Sequence, residues 1–426
     1  MVEEYNRSVW NYAVHRRLMI VLGIALAVSA NAQVPLTSAQ TTEANRILDG
    51  APAEERLRCT IQSRDPSLDF EFRFVAGYTI QCPLKMFGGR KSFVNTFVRV
   101  TPEGGTPVFL GETTSLPAVP SEMAARTNPR KMNSNIELSG AFTLGEGRYV
   151  IEVLAVDDRE RACRKQWEVN VVRRRAVAAS TAIMKANAVA PADFVPWDGR
   201  LQTADESVRL TVLLDVAPIN PREATLRAWD RLLLLDSLSA LLREVPCKTV
   251  RLVAFSLDQQ REVYRNRQFR GGAEFDELDK AIQELELGTV SYHVLQQQQG
   301  WAQMLWRLTS LELRAEDPPA AVVILGPATR THLKIKKDRL SPRETPNPQF
   351  FYFEYSNYWY GYMGSYGGPF PDSMGTLTKA LGGTDFIFHS PQELAQDIQK
   401  MLRKLKPGVP AEATASGWPA RAAPKP

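Results

Sequence analysis

The chain has 426 residues, of which 23% are charged and 44% hydrophobic, a composition typical of a globular protein rather than of a disordered chain. Its net charge of +5 is small for this length, and the basic residues form no single helical stripe, so no nucleic-acid partner is expected. The length favours two or three domains.

The N-terminal stretch has the pattern of a secretory signal. His15-Arg16-Arg17 precedes a short apolar run, Leu18 to Val28, and an Ala-x-Ala ending predicts cleavage after Ala32. Residues 1–32 are therefore interpreted as a signal peptide, and the mature protein as periplasmic or extracellular. The run is shorter than the roughly 20 residues of a membrane span, so no stable insertion is expected after cleavage. An uncleaved N-terminal anchor is the alternative.

A polar linker is predicted at 33–54, and a β-domain follows at 55–173. Apolar residues alternate with polar ones from Leu57 onwards, for example in Leu68–Phe74, Arg148–Val156 and Ala162–Val172. Seven or eight short strands in about 120 residues predict an all-β sandwich, broadly immunoglobulin-like.

The four cysteines suggest one disulfide in this β-domain. Cys59, Cys82 and Cys163 all fall on the apolar side of their strands, while Cys247 lies further along the chain. An exported protein can form disulfides. Cys59 with Cys163 is the favoured pair. Cys59 with Cys82, or three buried thiols, are the alternatives.

A second linker is predicted at 174–205, followed by an α/β domain at 206–405 and a disordered tail at 406–426. Leu210–Asp215 is a nearly all-apolar strand and leads into a helix predicted at Pro221–Arg243. The other predicted strands are Thr249–Ser256, Ala320–Gly326, Phe350–Tyr355 and Asp385–His389; the other helices are Phe275–Leu285, Tyr292–Leu313, Asp372–Leu381 and Ser390 to about Leu405. Alternating strands and helices predict a doubly wound, mostly parallel sheet.

The order of these elements resembles a von Willebrand factor type A (vWA) domain. The most specific part is the end, where Leu377–Phe386 looks like a closing helix, a Gly-Gly turn and a last strand. Ser390–Leu394 then opens the last helix. The resemblance covers about residues 205–405 and implies a sheet with a ligand site at the carboxyl ends of its strands.

The resemblance also implies a metal-ion-dependent adhesion site, but here that site is degenerate. Asp215 matches its first aspartate, and Thr289 its loop threonine. Ala217 and Ile219 stand where the two serines should be, and Gly326-Pro327 replaces the last acidic residue. Because Mg²⁺ usually needs carboxylate ligands, we expect no metal and no other cofactor. Asp215 is then interpreted as a structural acid.

An aromatic segment after Phe350 is the strongest candidate for a contact surface. From Asn357 to Phe370 glycines interrupt it too often for a strand or helix, and tyrosine and tryptophan are enriched in binding hot spots. A loop folded onto its own domain is an equal alternative. The predicted partner-binding residues are Asp215, Thr289, Ser291, Tyr358, Trp359, Tyr360 and Tyr362.

No catalytic motif is present. The sequence has no Gly-x-Ser-x-Gly, His-Glu-x-x-His or Walker A motif, and the mature part has few histidines. The sequence therefore predicts an exported protein, not an enzyme, that acts in protein–protein interaction or scaffolding through a metal-independent vWA-like domain and binds a protein of the cell envelope. A carbohydrate- or envelope-binding module and a hydrolase with an unrecognised site are the alternatives.

Overall fold

The structure is a computed structural model. It describes residues 34–50, 56–119, 134–173, 184–201, 207–220, 223, 225–285, 300–315, 317–328, 348–356 and 373–405. The chain forms two compact units, Met1–Val195 and Pro196–Pro426, and the division falls inside the predicted linker 174–205. The predicted signal peptide and C-terminal tail lie outside the described residues. Within the described part, no helix is long and apolar enough to span a membrane.

The described part of the first unit consists of strands and one α-helix, with a single 3-10 turn at Leu84–Phe87. The elements are β1 (Val34–Pro35), α1 (Ser38–Asp49), β2 (Thr60–Leu68), β3 (Phe74–Pro83), β4 (Ser92–Pro102), β5 (Val108–Leu116), β6 (Asn135–Leu144), β7 (Gly147–Asp157), β8 (Ala162–Val171) and β9 (Val189–Pro191).

Two antiparallel sheets form this unit, in the orders β1-β5-β4-β7-β8 and β2-β3-β6-β9. Their inward residues share one core, in which Tyr78 and Phe142 of one sheet pack with Val98 and Ile151 of the other. Alternation places these residues on one face of each strand, as the sequence analysis expects. A disulfide joins Cys59, just before β2, to Cys163 on β8.

The predicted linker 33–54 is partly helical. Thr37 caps α1, since Gln40 N donates to its hydroxyl and Thr37 N donates to the Gln40 side chain. Ala44 and Leu48 are fully buried against Phe109 and other residues on the outer face of the five-stranded sheet. The polar, alanine- and threonine-rich sequence hides this contact, because only one stripe of the helix is apolar.

The predicted strand Leu68–Phe74 is also wrong. Leu68 ends β2, Phe74 begins β3, and the residues between them form a tight turn in which Phe72 has a φ of 63°. Asp69 holds the turn by accepting the backbone N–H of Glu71 at 3.0 Å and that of Arg73 at 2.8 Å. The alternating aromatic residues of this turn imitate the pattern of a strand.

The second unit contains one six-stranded sheet with helices between its strands. Its elements are β10 (Val208–Asp215), α2 (Ala228–Glu244), β11 (Cys247–Ser256), β12 (Arg261–Asn266), α3 (Ala273–Gln283), α4 (Gly300–Leu313), β13 (Ala321–Pro327), β14 (Gln349–Tyr355), α5 (Ser373–Ala380), β15 (Thr384–Phe388) and α6 (Pro391–Leu405). The sheet order is β12-β11-β10-β13-β14-β15.

Apolar residues bury the middle of this sheet. On one face, Leu213 and Ile324 pack with Met304 and Leu308 of α4 and with Leu377 of α5. Helices α2 and α6 contact the sheet through β13, β14 and β15. The strand β13 is buried along its whole length, which explains its continuous apolar sequence.

The predicted fold class needs correction. Among the named strands of the described residues, eight pairings are antiparallel and four are parallel, and helices are few. The parallel pairings are confined to β10, β11, β13, β14 and β15. The chain is therefore mostly antiparallel β, and a doubly wound α/β class is wrong for it. The predicted apolar runs do form the strands β10, β11, β13, β14 and β15, but the antiparallel pairings of the first unit outnumber theirs, and β12 adds an antiparallel strand at the edge of the second sheet.

The first helix of the second unit begins later than predicted. It starts at Ala228 instead of Pro221, and the backbone N–H of Arg227 donates to Asp230 at 3.0 Å. Asn220 instead starts a turn, because its carbonyl oxygen accepts from Glu223 N. The start of α6 shows one half of the predicted capping box, with Glu393 N donating to the Ser390 hydroxyl at 3.3 Å, while the Glu393 carboxylate accepts from His389 N at 2.7 Å.

Candidate functional site

Asp215 lies at the carboxyl end of β10, as the sequence predicts, but it is completely buried. The strand continues its pairing past this residue, since Val216 N donates to Phe255 O at 2.7 Å. A side chain in this position reaches solvent only if the surrounding structure opens.

Gly326 of β13 explains how tightly Asp215 is enclosed. A Cβ atom on Gly326 would lie 2.7 Å from the Cβ of Asp215 and 3.0 Å from its carbonyl oxygen. By the resemblance to a vWA domain, Gly326 stands where an acidic metal ligand would be. In the structure its lack of a side chain allows β10 and β13 to approach each other closely.

Two polar residues near these strand ends were missed by the sequence analysis. Tyr355 ends β14 and is buried. Its burial raises the pKa of its hydroxyl, and the nearby negative charge of Asp230 raises that pKa further. Asp230 itself caps α2. Both residues belong to helix and strand ends, where sequence patterns give the weakest signal.

The other predicted contact residues lie outside the described residues. They are Thr289, Ser291, Tyr358, Trp359, Tyr360 and Tyr362. Their role in partner binding stays a prediction, and so does the absence of a metal. Within the described ranges, no three side chains of the His, Cys, Asp or Glu type come together in a possible metal site.

A second candidate site lies at one end of the β-sandwich. It is an open cavity of about 470 Å³ between the start of β7, the end of β8 and the segment before β9. Its lining combines two carboxylates, one guanidinium group and two carboxamides with two valines. The lining residues are Glu103, Glu146, Gly147, Arg148, Asn170, Val171, Val172 and Asn187.

Tyr149 fixes the backbone beneath this cavity. Its hydroxyl is within hydrogen-bond distance of the carbonyl oxygens of Gly145, at 2.9 Å, and Ala188, at 3.2 Å. Gly145 N donates to Ala188 O, and Asn187 N donates to Glu146 O at 2.9 Å. The buried tyrosine therefore joins the two segments that carry the carboxylate and the carboxamide.

The backbone conformation at this point requires a glycine. Gly147 has a φ of 149°, and a Cβ atom there would lie 2.1 Å from Asn187 Oδ1. Asn187 itself is in the left-handed region, with a φ of 61°. Asparagine tolerates this region better than most residues, so both residue types suit the geometry.

The charged groups of the cavity are accessible and partly paired. Glu146 accepts a hydrogen bond from Arg173 N at 3.0 Å, and its other oxygen lies 3.9 Å from Arg173 Nε. Arg148 and Glu103 approach to 3.9 Å, and both side chains are 69% exposed. These pairs are too open to neutralise the site, so their donors and acceptors are available to a ligand.

Part of this site can be recognised from the sequence. The motif Gly145-Glu-Gly-Arg-Tyr149 indicates the entry into a late strand of an immunoglobulin-like sheet. Asn187, however, falls in the stretch interpreted as a linker, and only the fold brings it next to Gly147.

Comparisons with known proteins identify no family for the chain. No protein-family model matches it, and no curated protein matches it. The resemblance to a vWA domain therefore stays a prediction.

Solved structures give only weak similarities. The ApaA protein of Bordetella pertussis is 9% identical over 29% of this chain and all of its own length, with a TM-score of 0.18. β-Glucosidase 3B of Thermotoga neapolitana is 16% identical over 27% of this chain and 16% of its own, with a TM-score of 0.15. β-Glucuronidase 2 of Bacteroides uniformis is 9% identical over 71% of this chain and 36% of its own, with a TM-score of 0.18. Scores this low assign neither fold nor activity.

Proposed function

We propose that this protein is an exported carbohydrate-binding module that contacts a polymer of the cell envelope through the cavity at the end of its β-sandwich. The observation that carries the proposal is the set of fixed, exposed donors and acceptors around that cavity. Carboxylates, carboxamides and a guanidinium group together can accept from and donate to neighbouring sugar hydroxyls. The proposal does not rest on the glycosidases, whose TM-scores are too low.

The arrangement fits binding because the backbone is held before a ligand arrives. Tyr149 ties both cavity segments together through backbone carbonyls, so the backbone that carries Glu146 and Asn187 is held in place. A preorganised site loses less conformational entropy on binding. Val172, which is 63% exposed, adds an apolar surface for the C–H groups of a sugar ring.

The disulfide supports the proposed location. A pair such as Cys59–Cys163 persists in an oxidising compartment and is rare in a reducing cytosol. The proposed signal peptide would direct the protein to the same oxidising compartment outside the cytosol.

The test is binding of the full chain to a panel of polysaccharides and purified peptidoglycan, measured by biolayer interferometry. Asn170→Ala should weaken binding about tenfold, because it removes two donors and one acceptor. The matched control is Glu168→Ala, since Glu168 is also exposed on β8 but does not line the cavity. Equal losses in both variants, or no binding to any polysaccharide, would contradict the proposal.

The same assay separates binding from hydrolysis. Glu103 and Glu146 are carboxylates on one cavity, and glycosidases use pairs of carboxylates as acid and nucleophile or base. Binding without release of reducing ends is the expected result. Release of reducing ends that disappears in Glu146→Gln would identify a hydrolase instead.

A protein partner is the second candidate, favoured by an apolar patch in the second unit. Trp229 is 62% exposed and Leu232 is 40% exposed, three residues apart on α2. Tryptophan is enriched in binding hot spots, and Leu232 extends the apolar surface beside it. A cross-linking experiment that locates envelope proteins at Trp229, and loses them in Trp229→Ser, would support this candidate.

A further inference from the structure

The edge strand β12 presents an unusual surface in the second unit, independent of the sandwich cavity. It pairs with β11 on one side and is the outermost strand of its sheet, so the described residues leave its other side without a strand. Its six residues give an edge about 20 Å long. Such an edge offers backbone N–H and C=O groups to an added strand.

The edge is strongly basic. Residues 261–270 contain four arginines and one glutamate, a net charge of +3. The arginines are exposed, and the glutamate, Glu262, is already paired with Arg265 at 2.7 Å and with Arg307 of α4 at 3.2 Å.

The two faces of the edge differ in charge. Arg265 is opposite Val253, so it shares the face covered by α4, where Arg307 also lies. Tyr264 points to the other face and approaches Glu277 of the acidic helix α3 at 3.4 Å. Glu262, opposite Phe255, lies on the Arg265 face as well, where its carboxylate contacts both Arg265 and Arg307. A strand with acidic residues on one face only would give these arginines a second partner and would avoid the carboxylates of α3.

Arginines on an edge prevent pairing with another copy of the same edge, since like charges would face each other. The same charges favour a strand of opposite sign, because specificity can combine repulsion of one partner with attraction of another. We propose that β12 is a docking edge for an extended acidic peptide, which adds to the sheet as a strand with its acidic side chains on the Arg265 face.

The experiment uses the full chain and a fluorescein-labelled hexapeptide of alternating Glu and Val residues, followed by fluorescence anisotropy. Binding should weaken about tenfold in Arg267→Glu, which reverses an exposed charge just past the strand. Arg314→Glu is the matched control, because Arg314 is also an exposed arginine of this unit but belongs neither to β12 nor to the residues that follow it. Binding should also weaken as the salt concentration rises.

Peptide variants test strand addition without changing the protein. A Glu–Val peptide N-methylated at alternate residues keeps its charge but loses strand hydrogen bonds, and it should bind at least tenfold more weakly. Equal affinity for the N-methylated peptide, or for a neutral Thr–Val peptide, would overturn the proposal. So would undetectable binding, or a dimer of the chain that excludes the peptide, which would make a second copy the occupant.

Discussion

In the first unit, ion pairs are buried beside the core, whereas the centre of the second unit's sheet is almost entirely apolar. Asp157 and Arg161 lie 2.5 Å apart with their side chains 0% and 9% exposed, and Arg73 is enclosed between Asp69 and Glu71. In the second unit, Ala321 to Leu325 of β13 are at most 1% exposed.

The difference follows from the type of sheet. Antiparallel strands with tight turns can place a charged pair at a turn and bury it there, as Asp157 and Arg161 show across four residues. Strands covered on both faces leave fewer such positions, and in the second unit the exception is Glu312 of α4, which accepts from Thr211 of β10 at 2.9 Å and lies 3.4 Å from Arg251 of β11. We therefore expect the first unit to depend on cross-links and specific pairs, and the second on apolar volume.

The largest expected effect is loss of the disulfide. Its two cysteines are separated by 104 residues, and removing a cross-link of that length costs about 4 kcal/mol in the free energy of unfolding. The double variant Cys59→Ala/Cys163→Ala should therefore show faster amide hydrogen exchange in β2 and β8, measured by mass spectrometry. The exchange rates in β10 and β13 should stay unchanged.

The control for this change is Cys247→Ala, which alters a free thiol of the second unit. It should leave exchange in β2 and β8 unchanged. An effect of the double variant below 1 kcal/mol would mean that the ion pairs, and not the cross-link, stabilise the sandwich.

The disulfide also shows how far the sequence could lead. Side-chain period places Cys59, Cys82 and Cys163 on the apolar side of their strands, so it could suggest a disulfide but could not choose among the three cysteines; the pair Cys59–Cys163 is set by the fold. The helix at Ala44 and Leu48 could not be recognised, since its burial depends on Phe109, which is distant in sequence. The cavity could not be recognised from the sequence for the same reason, because Asn187 and Glu146 meet only through the fold.

The next largest effect on stability is expected from a mutation that creates an internal void in the second unit. Leu252 is fully buried at the centre of β11, in register with Val212. Leu252→Ala should lower the free energy of unfolding by about 3 kcal/mol, because packed neighbours cannot fill the space. Urea unfolding followed by hydrogen exchange would place the loss in the second unit.

Leu311→Ala is the matched control, since Leu311 is 50% exposed and its removal leaves no cavity. It should cost well below 1 kcal/mol. If both leucine variants lose the same stability, apolar volume is not what holds the second unit.

The smallest expected effect is a loss of stability at high pH caused by the buried thiol of each unit. It should be of the same size in both units. Burial raises the pKa of Cys82 from 9.0 to about 11, with the charge of Asp157 adding and that of Arg161 opposing, and burial raises the pKa of Cys247 to about 12. Below pH 9 the thiol is protonated in both the folded and the unfolded chain, so it has no effect on stability there. As the pH rises above 9 only the unfolded chain releases the proton, and stability falls by about 1 kcal/mol per thiol at pH 10.

Comparing each single alanine variant with the natural chain isolates this term from the tyrosines, which also titrate at high pH. The difference in stability between pH 8 and pH 10 should shrink by about 1 kcal/mol in Cys82→Ala and by the same amount in Cys247→Ala. Equal changes would mean that burial by apolar atoms determines thiol ionisation in either type of sheet. A change confined to Cys247→Ala would show that the charges of Asp157 and Arg161 reach Cys82, which would extend the contrast between the units to their thiols.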